Sequence, residues 1–444
     1  MKTSVEDISS VKKKLVIQMD SEEVDKKLDA AYKELRKTAK VPGFRPNKAP
    51  RNILERHFGS RVTEDVMKDI ITDTFLPAVT ETGIAPLGLP IFEKKPLKQG
   101  QDFSYSAVTE VRPKFELKNY LGVDVEKEKF SVEEGDILNQ LEKIRETHGE
   151  LTAIDEERPI QKDDYVVLDY EGFESSHPLD DIKSSNFLLK VGSNNFHPKF
   201  EESLIGLKKD SDAKISVNFE DSYYHSKLAG KTVDFEVKVM DIKEMHLPDL
   251  NDEFAHSLDD KIKTLEDLKN KVRETFSARE EKRIDAELKQ RLIGNISDGI
   301  DFELPQVLVE SELNHAVAKV KQDLERGGSS IEKAGLSEEK LKNDFRSDSE
   351  NRVKQMLILS EVTIKHEITI SEEDLEKEFA ELASTMGQPI ETVRKYYESQ
   401  NVMDFMEERL LEEKTLNYLV EHANIHDVEK GSLGQDTSAE KEDN

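Results

Sequence analysis

The stretch Val41-Pro42-Gly43-Phe44-Arg45-Pro46-Asn47-Lys48-Ala49-Pro50 places three prolines and a glycine within ten residues. A helix does not continue through it, because proline lacks the amide donor and its ring collides with the preceding turn. It is read as a rigid, exposed turn between two helical segments. Before it, Glu22 to Lys40 carries Val24, Leu28, Ala31, Tyr32 and Leu35 at helical spacing. After it, a second helix can begin at Pro50, since proline is tolerated in a first turn. A third apolar series, Val62, Val66, Ile70 and Val79, predicts a further helix to about Thr82. A short strand at Lys14 to Met19 and a period-two stretch at Phe103 to Ala107 complete an α+β unit that closes near Val111.

Charge separates this turn from its surroundings. Between Lys33 and Arg61 lie nine basic residues (Lys33, Arg36, Lys37, Lys40, Arg45, Lys48, Arg51, Arg56, Arg61) and two acidic ones (Glu34, Glu55), a net +7. The whole chain of 444 residues carries −29, so the remainder carries −36. That balance argues against a protein coating nucleic acid or anionic membrane along its length, and leaves room for one local basic contact. An ordinary solvated basic face would have the same composition. Phe44 favours a contact, because an aromatic ring on a proline-stiffened loop is costly to expose without a partner, and aromatic and Arg side chains dominate binding hot spots.

Composition bounds the rest. Charged and hydrophobic residues each make up 36%, against roughly 25% and 45–50% in average domains. The chain is short of core-building residues for its size, which fits an elongated, multidomain molecule. It has no Cys, which removes disulfides, thiol nucleophiles and thiolate metal sites. Neither a secretory signal nor an apolar run long enough to span a membrane is seen, so a cytoplasmic location is expected.

Beyond Arg112 the stretch to about Arg158 is charged, with a helical series at Ile137, Leu141 and Ile144. Short strands are expected at Tyr165 to Tyr170, Phe187 to Val191, Lys214 to Phe219 and Thr232 to Ile242. From about Thr264 to Ala423 the pattern is of long charged helices, with breaks at Gly294 to Leu304, Gly327 to Ser330, His366 to Thr369 and Gly387 to Pro389. Met356, Met386, Met403 and Met406 fall in this region, where thioethers suit either packed core or promiscuous apolar binding. Asp427 to Asn444 is acidic, poor in apolar residues and read as a disordered tail.

Gly43-Phe44-Arg45-Pro46-Asn47-Lys48-Ala49-Pro50 closely resembles the Gly-Phe-Arg-x-Gly-Lys-x-Pro signature of trigger factor, the bacterial ribosome-associated chaperone family. Asn47 stands where the family usually has Gly, and Asn is the next residue most tolerant of a left-handed backbone. The resemblance is collinear over nearly the whole chain and extends to Asp301-Phe302-Glu303-Leu304-Pro305 at the start of a helical domain. It implies an α+β multidomain fold: residues 1–112 a ribosome-docking α+β domain, 113–161 a linker with a helix, and 162–246 an FKBP-like antiparallel β domain. Residues 247–426 would be an all-α domain with arm-like projections, and 427–444 the tail. The resemblance implies that Gly43, Phe44, Arg45 and Lys48 dock on the large ribosomal subunit near the exit tunnel, and that the helical domain shields nascent and unfolded polypeptides without ATP. No cofactor, membrane or DNA is expected as a partner, and homodimerisation off the ribosome stays open.

For the sheet domain the resemblance implies peptidyl-prolyl isomerisation at Tyr170, Leu179, Phe200, Tyr223 and Phe235, with Phe196 and His197 on the intervening loop. That reaction needs no nucleophile or metal. It needs an apolar, aromatic-lined site that favours the twisted amide over the planar one. These aromatics would equally serve as the core of a small barrel. Leu179 replaces an aromatic, Ser175-Ser176-His177-Pro178 an Asp-Gly turn, and His197-Pro198-Lys199-Phe200 an Ile-Pro-Gly-Phe sequence, and the chain has no Trp. A weak isomerase is therefore expected. A dedicated prolyl isomerase with substrate-delivery domains is the competing reading, and a secreted chaperone-isomerase a third that the missing signal peptide disfavours. Gly230-Lys231-Thr232 has the end of a phosphate-binding loop, but His225 stands where its first glycine belongs and a strand is expected next. The eleven histidines show no metal-binding spacing.

Overall fold

The computed structural model describes residues 1–444 except 46, 155–157, 176, 221–222, 224–227, 229, 328, 332–333, 401 and 435–444. The chain divides into two compact units. One contains Met1–Val125, Lys289–Asp323 and Glu338–Asn424, and the other Glu126–Leu288, Leu324–Ser337 and the described residues from Ile425 on.

In the first unit, strands β1 (Lys2–Asp7) and β2 (Lys12–Met19) precede helices α1 (Ser21–Thr38) and α2 (Arg51–Thr82), and β3 (Leu87–Lys94) and β4 (Phe103–Glu110) follow. The sheet is antiparallel in the order β1-β2-β4-β3. Period-two alternation turns Leu15, Ile17 and Met19 of β2 and Phe103, Tyr105 and Ala107 of β4 to one face. There they meet Val24, Leu28 and Tyr32 of α1 and Leu54, Val62, Val66 and Ile70 of α2, all buried. The two helices expected after Pro50 are one. Gly59 does not break α2, because a mid-helix glycine costs only about 1 kcal/mol and the apolar face runs past it from Leu54 to Val62. Thr74 ties the helix to the sheet: its hydroxyl bonds the Ile70 carbonyl at 2.6 Å and the Tyr105 hydroxyl at 2.8 Å. Strands β1 and β3, too polar and too broken by Gly88 and Pro90 to stand out in the sequence, were not expected.

Strand β5 (Asp124–Glu128), helix α3 (Glu134–Thr147) and strand β6 (Glu150–Ala153) occupy the stretch read as a linker. The sheet of the second unit comprises β6, β7 (Tyr165–Glu174), β8 (His177–Lys190), β9 (Asp212–Asn218) and β10 (Thr232–His246), with the short helix α4 (Pro198–Leu204) between β8 and β9. Its order is β6-β10-β7-β8, and β9 also pairs with β10. Val166, Leu168, Val217, Val233, Phe235 and Val239 point to the same interior as Phe200 and Leu204 of α4. Burying each such side chain contributes about 1.5–3 kcal/mol.

The helices that follow are α5 (Asp252–Leu258), α6 (Leu265–Asp298), α7 (Gln306–Arg326), α8 (Glu338–Asp344), α9 (Arg346–Lys365), α10 (Glu372–Met386), α11 (Ile390–Ser399) and α12 (Met403–Glu421). Helix α6 runs through Gly294, where a break was expected, because Leu292, Ile293 and Ile296 keep an apolar face buried on both sides of it. The other breaks fall at helix ends, with Gly387 left-handed at φ +62° after α10. Among the described residues no helix is long and apolar enough to cross a membrane, and no cluster of potential metal ligands occurs.

The tail expected to be disordered from Asp427 is ordered further than that. Residues Asn424–Val428 form strand β11, which pairs with β5, so the helical region also ends in a strand; residues 435–444 lie outside the described residues. Backbone pairing and charge explain the difference. Lys129 pairs with Glu429 at 2.7 Å and Lys430 with Asp136 at 3.1 Å. The Glu128 carboxylate, 9% exposed, accepts from Arg283 Nη2 at 2.8 Å and from the Gly431 amide at 2.6 Å. These bonds, Arg283 first and Gly431 second, hold Glu128 below the usual carboxylate range. A carboxyl with a lowered folded value stabilises fully above its unfolded value and stops doing so as the pH falls through the folded one. Acidification should therefore release residues 428–431 before the unit unfolds. Glu128→Gln should produce the same release at neutral pH, at a local cost of about 1–3 kcal/mol. Exchange of the Gly431 amide measures both.

Candidate functional site

The proline-rich turn is anchored at its two ends and open in the middle. Val41 and Ala49 are 6% and 4% exposed and belong to the core that α1 and α2 form with the sheet. Between them, Phe44 is 41% exposed and Arg45 and Lys48 are exposed as well. The chain reverses through two left-handed residues, Gly43 at φ +84° and Asn47 at φ +63°. Two short-range bonds close the turns, Phe44 N to the Val41 carbonyl at 3.1 Å and Lys48 N to the Arg45 carbonyl at 3.0 Å. Arg36 of α1 donates through Nε to the Asn47 carbonyl at 3.1 Å, fixing the loop to the helix before it. Pro46 lies outside the described residues.

Not all of the local positive charge is available to a partner. Arg51 is paired with Asp29 and, at 2.6 Å, with Glu55, and stacks over Tyr32. Lys37 pairs with Glu34 at 2.6 Å and Arg61 with Asp65 at 3.8 Å. Asp29 and Asp65 lie outside the Lys33 to Arg61 window, so the free charge at the loop is lower than the net +7 of that window. Arg45 and Lys48 make no ion pair among the described residues. The loop tip therefore offers one phenyl ring flanked by two cations, which suits an acidic, partly apolar surface.

The aromatic residues of the sheet domain do converge. Phe200 on α4 and Phe235 on β10 are fully buried, with ring centroids 5.1 Å apart. Tyr170 on β7 stands edge-on to both, at 6.4 and 6.1 Å. Phe196, from the loop before α4, lies 4.4 Å from Phe200 and 5.6 Å from Phe235. Tyr223 joins through Phe219 at 4.6 Å and donates its hydroxyl to the Phe196 carbonyl at 3.3 Å. Leu179 on β8 is half-buried against the same core but adds no ring. His197 caps α4, its Nδ1 accepting from the Lys199 amide at 3.2 Å. Lys231 pairs with Glu174 at 2.8 Å and strand β10 begins at Thr232, so this segment does not lead into a phosphate-binding helix; His225 lies outside the described residues.

Three residues of this cluster escaped the sequence reading. Phe187 and Phe219 looked like ordinary strand residues. Glu201 looked like one more acid in a helix first turn, yet it is 1% exposed. Its Oε2 accepts from the amides of Gly192 at 2.8 Å and Asn194 at 3.0 Å, and its Oε1 from that of Phe196 at 3.0 Å. A buried carboxylate is tolerated when its oxygens are bonded in this way. It fixes the loop that carries Phe196.

Three family profiles match successive parts of the chain. The profile described as bacterial trigger factor protein matches residues 1–144, FKBP-type peptidyl-prolyl cis-trans isomerase matches 156–240, and bacterial trigger factor C-terminus matches 264–421. A trigger factor from Geotalea uraniireducens is 34% identical over 98% of this chain and 100% of its own length. The chain belongs to the trigger factor family. Another trigger factor, from Halalkalibacterium halodurans, is 32% identical over 92% of this chain and 96% of its own. A solved structure described as "Promiscuous Substrate Recognition in Folding and Assembly Activities of the Trigger Factor Chaperone" aligns with a TM-score of 0.49 at 20% identity, over 95% of this chain and 99% of that one. The trigger factor match at residues 1–144 includes the exposed loop, and the FKBP-type match at 156–240 includes the aromatic cluster.

Asn47 supplies the left-handed residue for which the family signature has Gly. Asn47→Gly should leave the loop intact. Asn47→Val should strain it by about 1–2 kcal/mol, because a branched Cβ is crowded at positive φ. Limited proteolysis between Pro42 and Pro50 should be faster in the valine variant than in the original chain and unchanged in the glycine variant.

Proposed function

We propose that this chain is an ATP-independent chaperone that docks beside the ribosomal exit tunnel through Phe44, Arg45 and Lys48, with Gly43 shaping the loop, and shields emerging polypeptides. Residues 1–112 dock, 162–246 hold a weak prolyl isomerase site, and 247–426 receive the unfolded chain; residues 113–161 link the first two. Its place of work is the cytoplasm, where ribosomes are. The observation that carries this reading is the exposed Phe44 beside two cations that make no ion pair among the described residues, on a loop whose ends are buried.

The isomerase part of the proposal rests on Tyr170, Leu179, Phe200, Tyr223 and Phe235. Such a site lowers the barrier of about 18–20 kcal/mol by excluding water from an amide and favouring its twisted, less resonance-stabilised form. Leu179 in place of a ring reduces the aromatic wall, which supports low rather than high activity.

Replacing Phe44, Arg45 and Lys48 together with Ala should lower co-sedimentation with ribosomes by about thirtyfold or more, the equivalent of losing one hot-spot residue worth about 2 kcal/mol. The fold should be unaffected, since all three side chains are exposed. Undiminished co-sedimentation would remove the docking assignment.

A further inference from the structure

Phe200 and Phe235 are both 0% exposed. A prolyl ring that is to rest on them has to displace a covering group. Among the described residues, two partly buried rings touch both of them, Tyr170 and Phe196. Tyr170 is held within the ladder of β7, paired in register with Val237 and Ser184. Phe196 is not in a strand or helix. It sits between β8 and α4 on a loop that contains Gly192 at φ +90° and Asn194 at φ +59°. Its ring is ringed by Tyr170 at 5.5 Å, Phe187 at 6.2 Å, Phe200 at 4.4 Å and Phe235 at 5.6 Å. A phenyl group of the chain's own, only partly buried, thus lies against the residues that the proposed reaction uses.

We propose that Phe196 is the specificity-determining cover of the prolyl site, and that Glu201 and Tyr223 are positioning residues that hold it closed. Glu201 grips the loop through the amides of Gly192, Asn194 and Phe196, and Tyr223 grips it through the Phe196 carbonyl. The ligand is a prolyl segment of an unfolded chain, whose pyrrolidine takes the place of the Phe196 ring on Phe200. This inference rests on the isomerase part of the proposed function. It adds that the site is closed in the free protein, so that a short prolyl peptide binds weakly and an unfolded chain already held elsewhere on the molecule has the advantage of high local concentration.

The experiment uses the full chain, the variants Phe196→Ala, Phe196→Leu and Glu201→Gln, and a blocked tetrapeptide with a leucine-proline bond. Binding is followed by tyrosine fluorescence, since the chain has no Trp, and cis-trans exchange by NMR. A cover that is open about one-tenth of the time weakens apparent affinity about tenfold. Phe196→Ala should therefore bind about tenfold tighter, with kcat/KM raised through KM. Phe196→Leu, which keeps an apolar side chain and guards against misfolding, should fall between the two. Glu201→Gln should shift KM in the same direction while the Phe196 ring is still present, which a purely structural role would not do. Equal or weaker binding by both Phe196 variants overturns the cover while leaving a functional prolyl site. Absence of binding and exchange in every form overturns the prolyl site and the cover together, and leaves ribosome docking to its own test.

Discussion

Phe44 can remain in solvent because Val41 and Ala49, three and five residues away, are packed into the core beneath α1 and α2. A flexible loop would fold its one large apolar ring inward, since burying a phenyl side chain is favourable by about 1.5–3 kcal/mol. Here the buried ends, the left-handed Gly43 and Asn47, and the Arg36 bond to the Asn47 carbonyl leave no such option. The ordering entropy is met once, by folding of the α+β unit, and would not be met again in the proposed docking. The same packing explains the size of α2. A helix that continues from Arg51 to Thr82 gives the loop one C-terminal support rather than two hinged ones.

The sheet domain uses aromatic residues in the opposite sense. Its rings are gathered inward, and a buried glutamate holds over them the loop that carries one more. Phe200 and Phe235 are fully buried core residues; on the cover proposal they become a binding floor only when the Phe196 ring leaves. On that proposal, engagement of a prolyl segment is weak and transient. The ion-pair network around Glu128 and Arg283 belongs to a third kind of design, in which charge rather than apolar area secures the end of the chain to β5 and α3.

Much of this was legible in the sequence because the signals were local. Prolines placed the loop, 3.6-residue periodicity placed α1 and most later helices, and alternation placed the central strands. What the sequence did not disclose depended on partners distant along the chain. Whether Gly59 or Gly294 interrupts a helix was decided by packing, not by propensity. Strand β11 is visible only once β5 lies beside it. Asp29 and Asp65 reduce the free charge near the loop although neither falls in the basic stretch. Glu201 is the clearest case: an acid after Pro198 in a first turn reads as a routine helix start, and its role follows from three amides that the fold brings to it. The left-handed backbone at Asn47 was legible, because that tolerance is written into a single residue.

The central claim is that the loop from Gly43 to Lys48 is a preformed docking element. Amide exchange of the full chain, measured with and without large ribosomal subunits, tests it directly. The account predicts added protection centred on the amides of Phe44, Arg45, Asn47 and Lys48, with β7, β10 and α4 of the sheet domain unchanged. Protection centred on any other segment, or none in this loop at subunit concentrations that saturate binding, would contradict it.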